Sequence, residues 1–167
     1  AFSSSSLGDS PQKNNSALSD TKNRVFFSKE DATMASLTDD AQYSAIELPF
    51  QSPDESEFSL IVNPSAQGVG SPYGWHDTDG VPGPEHTITR GNNVWAQEDE
   101  NGNNGTGFSP EGGAELIFDF DFDFTQDPSQ SLDASITNLF YLNNMLHDIF
   151  YEYGFDEASG NFQQNNY

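Results

Sequence analysis

Between Ser131 and Gly154 the chain carries Ile136, Leu139, Phe140, Met145, Leu146, Ile149, Phe150 and Tyr153 at helical spacing. The pattern predicts a helix over 133–154, with Ser131 or Asp133 as its N-cap and Gly154 at a left-handed C-cap. Tyr141 and Leu142 widen the apolar face beyond one stripe, which predicts burial on more than one side. A helix this apolar needs partners on several sides, and a 167-residue chain has little material to supply them.

The material upstream reads as short strands. Ala45-Ile-Glu-Leu-Pro-Phe50 and Phe58-Ser-Leu-Ile-Val62 are β-like runs bounded by Pro, Ser or Asn. His86-Thr-Ile-Thr-Arg90 and Asn93-Val-Trp-Ala-Gln97 flank a Gly91-Asn92 turn signal. From Leu116 to Phe124 the chain alternates, with Phe118, Phe120, Phe122 and Phe124 on one face and Asp119, Asp121 and Asp123 on the other. That is a half-buried strand with one wet face. The expected fold class is α+β. A β-rich lobe of short, mainly antiparallel strands over 41–132 leads into one long buried helix over 133–154, then an Asn/Gln-rich exit loop over 155–167. Residues 1–40 have no sustained period and read as a poorly ordered tail or a pro-segment remnant.

Charge excludes some partners. The net charge is −22, and from Glu30 onward there are 25 acids and one cation, Arg90. Phosphate backbones and anionic membrane surfaces need Lys and Arg, so neither nucleic acid nor membrane is an expected partner. No run of 18 apolar residues is present. An acidic, Lys-poor, Asn- and Gly-rich composition fits a secreted protein kept soluble by its charge. Without cysteine, neither disulfides nor a thiolate site can form.

Three histidines and many carboxylates raise the question of a metal. His147 and Asp148 are adjacent on the predicted helix and point about 100° apart, so His147 reads as a structural histidine. No H-E-x-x-H occurs. The loop holding His76, Asp77, Asp79 and Gly80 offers carboxylates and carbonyls of the kind calcium takes. Asp99-Glu-Asn-Gly-Asn-Asn-Gly105 begins like an EF-hand loop, yet Asn104 stands where glycine is required and Pro110 where the bidentate Glu belongs. Both loops read first as turn chemistry and only second as calcium sites. Ser71 and Ser109 lack a Gly-x-Ser-x-Gly context, and carboxylate pairs are too abundant here to mark a glycosidase. Arg90 is expected to form ion pairs that tie its turn to a neighbouring acidic loop.

Three segments together resemble the fungalysin family of secreted zinc metalloendopeptidases, its bacterial branch in particular. They are Ser71-Pro-Tyr-Gly-Trp-His-Asp-Thr-Asp-Gly80, Thr87-Ile-Thr-Arg-Gly-Asn-Asn-Val-Trp-Ala96, and the segment from Thr137 through Asn143-Asn-Met-Leu-His-Asp148 to Gln163-Gln-Asn-Asn-Tyr167. The resemblance covers about 48–167 and implies the N-terminal lobe of a thermolysin-like protease. It also implies zinc in the complete enzyme, on ligands absent from this chain, and protein or peptide substrates.

No catalytic, cofactor-binding or metal residue of the family falls on a position of this chain. The expectation is therefore an N-terminal portion truncated before the zinc motif, inert alone, whose partner is the missing C-terminal catalytic lobe. The alternative is a free-standing non-catalytic binding or regulatory module derived from that lobe. The two differ at Leu139, Leu146 and Phe150, which the first leaves exposed and the second covers.

Overall fold

The computed structural model describes residues 40–167, so the tail reading of residues 1–39 lies outside the described residues. Strand β1 (Gln42–Ala45) is central in a three-stranded sheet, with β2 (Ser59–Val62) antiparallel on one side and β3 (Ile117–Phe118) parallel on the other. The register pairs Tyr43 with Ile61 and with Phe118. Helix α1 (Leu132–Glu152) packs against β1, and the α+β class holds.

Several elements differ from expectation. The sheet is mainly antiparallel as expected, with one short parallel pairing to β3, but its central strand ends at Ala45, where the 45–50 run begins, and that run turns at Leu48-Pro49. The segments 86–90 and 93–97 form no ladder. They make two isolated bridges, Ile88 with Glu111 and Arg90 with Trp95. Of the alternating Phe face, Phe118 is fully buried and stacks on Tyr43, whereas Phe124 is 65% exposed. β3 ends at Phe118, and the alternation fades beyond it: Phe120 still packs half-buried against the core, Phe122 stacks on Phe58, and Phe124 reaches solvent.

The core is aromatic. Tyr43 lies 5.3 Å from Trp75 and 5.8 Å from Phe140, ring centre to ring centre, and Trp75 adjoins Tyr141. Such pairs add to burial through their ring quadrupoles. Helix α1 buries one face, Ile136, Phe140, Tyr141, Asn144, His147 and Asp148. Its other side is wet, with Leu139 48% and Phe150 45% exposed, so burial on several sides is not realised among the described residues. The helix ends as expected, with Gly154 at φ +93 donating to Tyr151 O. Ser131 is the N-cap residue but its side chain makes no cap bond, and the preceding 3₁₀ turn, Pro128–Ser131, is capped by Asp127 accepting from Ser129 N.

Candidate functional site

Two polar clusters lie beside the core. The first is built around Asp148, in the last quarter of α1. Its Oδ2 accepts from Trp75 Nε1 at 2.8 Å, and its Oδ1 accepts from Ser71 Oγ at 2.6 Å and lies 3.0 Å from His147 Nδ1. Asn93 Nδ2 donates to Ser71 Oγ and to Asn144 Oδ1. This set contains Ser, Asp and His, but the carboxylate sits between the other two. No base reaches Ser71, so the hydroxyl is a donor to a carboxylate and not an activated nucleophile. His147 is buried, as expected, and its Nε2 meets Gln163 and Asn161 of the exit loop.

The second cluster is the 77–85 loop. One carboxylate oxygen from each of Asp77, Asp79 and Glu85 lies within 4.8 Å of the other two. Asp77 is fully buried. Its Oδ1 accepts from Gly80 N at 2.8 Å and from Tyr167 Oη at 2.9 Å, while its buried Oδ2 accepts no hydrogen bond. Burial pushes the Asp77 carboxyl above its ordinary range, opposed by the bonds from Gly80 and Tyr167 and reinforced by Glu85 and Asp79. Burial, then the contact with Asp77, pushes the Tyr167 phenol up. Glu85 Oε2 accepts from Thr78 N and Thr78 Oγ1, which folds the loop back on itself.

His76, part of the expected calcium loop, is turned away from these acids. Its Nε2 accepts from Tyr43 Oη at 2.8 Å and its Nδ1 donates to Arg90 O at 3.0 Å. The 99–105 loop spends its oxygens on its own amides: Asp99 Oδ1 accepts from Asn103 N and Asn104 N, and Asn103 Oδ1 from Gly105 N. That is turn chemistry. Arg90 departs from expectation too, since its guanidinium lies 4.2 Å over the Trp95 ring. Among the described residues the one contact of salt-bridge length is that between His147 Nδ1 and Asp148 Oδ1, at 3.0 Å.

The second cluster reaches the exit segment. Asn165 N donates to Asn92 Oδ1, Asn92 Nδ2 donates to Asn165 O, and Asn165 Nδ2 donates to Thr78 O. Sequence reading missed Asn92, Asn93, Asn144, Asn165 and Glu85. Their Asn-rich contexts look like solvent-facing loop, and only the fold brings 92 to 165.

A zinc centre does not fit the residues present. His76 and His147 are buried with each ring nitrogen engaged, and the grouped ligands among the described residues are all carboxylates, the donor set of hard cations. No chemical step through zinc is derived from this chain.

Comparison with known proteins gives the class. Residues 42–167 match the family described as Fungalysin metallopeptidase (M36), and the chain belongs to that family. It is 37% identical over 145 residues to Extracellular metalloproteinase 2 of Trichophyton tonsurans and 38% identical over 148 residues to that of Arthroderma otae, in each case 83% of this chain and 22% of the relative. Extracellular metalloproteinase 3 of Trichophyton tonsurans is 39% identical over 132 residues, 75% of this chain and 19% of the relative. The chain thus spans about a fifth of the length of these relatives. They are fungal and give no support to the bacterial branch. They are named as extracellular, and no helix among the described residues is long and apolar enough to cross a membrane.

Proposed function

We propose that this chain supplies the β-rich lobe and central helix of a secreted zinc metalloendopeptidase that cleaves proteins or peptides. In this reading 1–40 is a tail or pro-segment remnant, 41–132 the lobe, 133–154 the central helix and 155–167 the exit loop. The zinc ligands, the general base and the lobe that carries them lie outside these 167 residues, and no residue here is catalytic or holds zinc. In the complete enzyme zinc would supply Lewis-acid chemistry, on ligands outside this chain. Calcium is proposed as a structural ion in one of this chain's acidic loops.

The observation that carries the reading is the wet side of α1. Leu139 and Phe150 are about half exposed and Tyr153 is 87% exposed, joined beyond the helix by Phe155 and Phe162. Leu146, on the same side, is half-buried, and apolar exposure at the other positions fits a covering lobe better than a free-standing module. The test is a caseinolysis assay with added zinc. The chain alone is expected to be inert, and the same lobe within a longer protein carrying H-E-x-x-H is expected to hydrolyse casein until a zinc chelator is added. Chelator-sensitive hydrolysis by the chain alone would overturn the assignment.

A further inference from the structure

One carboxylate oxygen from each of Asp77, Asp79 and Glu85 lies within 4.8 Å of the other two, so the three repel one another, and among the described residues no lysine or arginine is paired with them. Arg90, the one cation beyond Lys29, is committed to the Trp95 ring. A second observation is independent of the clustering. Asp77 Oδ2 is fully buried and accepts no hydrogen bond, and a buried carboxylate oxygen without a donor is costly unless a cation supplies the contact. The donors are all oxygens, from two residues two apart and a third folded back onto Thr78, which suits an ion of flexible coordination such as calcium better than zinc or copper.

The same loop grips the exit segment. Tyr167 Oη donates to Asp77 Oδ1 and Asn165 Nδ2 to Thr78 O, so fixing residues 77–80 fixes 165–167. We propose that Asp77, Asp79 and Glu85 bind a calcium ion, and that this ion clamps residues 165–167 against the 77–80 loop. This rests on the reading that one of the chain's acidic loops takes calcium; it adds which loop and what the ion controls. Without the ion, repulsion among the three carboxylates opens the loop and frees Tyr167.

The experiment is titration calorimetry of calcium chloride into the chain, with magnesium chloride as the control, paired with amide hydrogen exchange. One calcium site is expected, weakened about tenfold or more by Asp79→Asn and by Glu85→Gln, since affinity follows carboxylate charge. Asp79 is exposed and its Oδ1 caps Val81 N, a bond that Asn retains, so this variant is expected to fold even if Glu85→Gln does not. Exchange at 161–167 is expected to slow severalfold as calcium saturates. Absence of calcium binding overturns both the proposal and the reading beneath it. Binding unchanged in both variants but lost in Asp99→Asn overturns this site and leaves that reading standing. Binding that is lost in the variants without any change of exchange at 161–167 overturns the clamp.

Discussion

The Tyr43 hydroxyl lies 2.8 Å from His76 Nε2 in the middle of the aromatic core, and a neutral His76 accepts the hydroxyl proton there. Its other nitrogen, Nδ1, then carries the proton toward Arg90 O. Burial, first among the causes, pulls the His76 pKa down to about 3. A depressed histidine favours the fold fully above its unfolded pKa of about 6.5 and loses that contribution as pH falls toward the folded value. Stability is therefore expected to fall with acid between about pH 6.5 and pH 3 by about 1.4 kcal/mol per unit from this group. Urea denaturation across that range, with a chelator present, should show a shallower slope for His76→Asn than for the parent. Equal slopes would remove His76 from the account.

Asp148 holds three donors at once: Trp75 Nε1, Ser71 Oγ and His147 Nδ1. Asp148→Ala leaves these buried donors without an acceptor, each at about 1–3 kcal/mol, so a loss of about 3 kcal/mol or more is expected. Asp148→Asn keeps the volume but turns an amide toward donors, and should fall between. Thermal unfolding by circular dichroism measures both, and a fully native melting temperature in the Ala variant would contradict the central role of this carboxylate.

Gly91 is pressed against the backbone. A Cβ there would stand 1.5 Å from the Trp75 carbonyl oxygen, which cannot move without shifting His76. Gly91→Ala is expected to prevent native folding. Gly68→Ala is the control, because its nearest neighbour would be Asp148 Cβ at an ordinary 3.4 Å and its φ of −127 suits any residue. Soluble yield and near-ultraviolet circular dichroism of the two variants should differ sharply.

This glycine also explains part of what the sequence does not reveal. The runs 86–90 and 93–97 have strand composition, yet the turn between them is packed on Trp75 and Asn92 is turned toward Asn165, which leaves room for one bridge, Arg90 to Trp95. Helix α1 was legible because its period, its length and Gly154 all state the same answer locally. The acidic cluster was half legible. Asp77 and Asp79 are neighbours in the chain, but Glu85 joins them only because it folds back onto Thr78. Arg90 misled for a physical reason: among so many acids an ion pair is the obvious partner, while a nearby indole face competes with less desolvation.

The exposed side of α1 separates folding from association. Leu139 and Phe140 are consecutive, one 48% exposed and the other fully buried between Tyr43, Trp75 and His76. Phe140→Ala is expected to cost about 3–5 kcal/mol, as for other buried aromatic truncations. Leu139→Gln combined with Tyr153→Gln is expected to cost less than about 1 kcal/mol per site, because neither side chain is part of the buried core. Within a longer protein carrying this lobe and H-E-x-x-H, as proposed above, the ranking of effects on docking should change. The double variant, although folded, is expected to weaken docking of the covering lobe and reduce proteolysis, while binding of a hydrophobic dye to the isolated chain falls. A double variant that keeps full proteolytic activity would show that this face is not where the covering lobe sits.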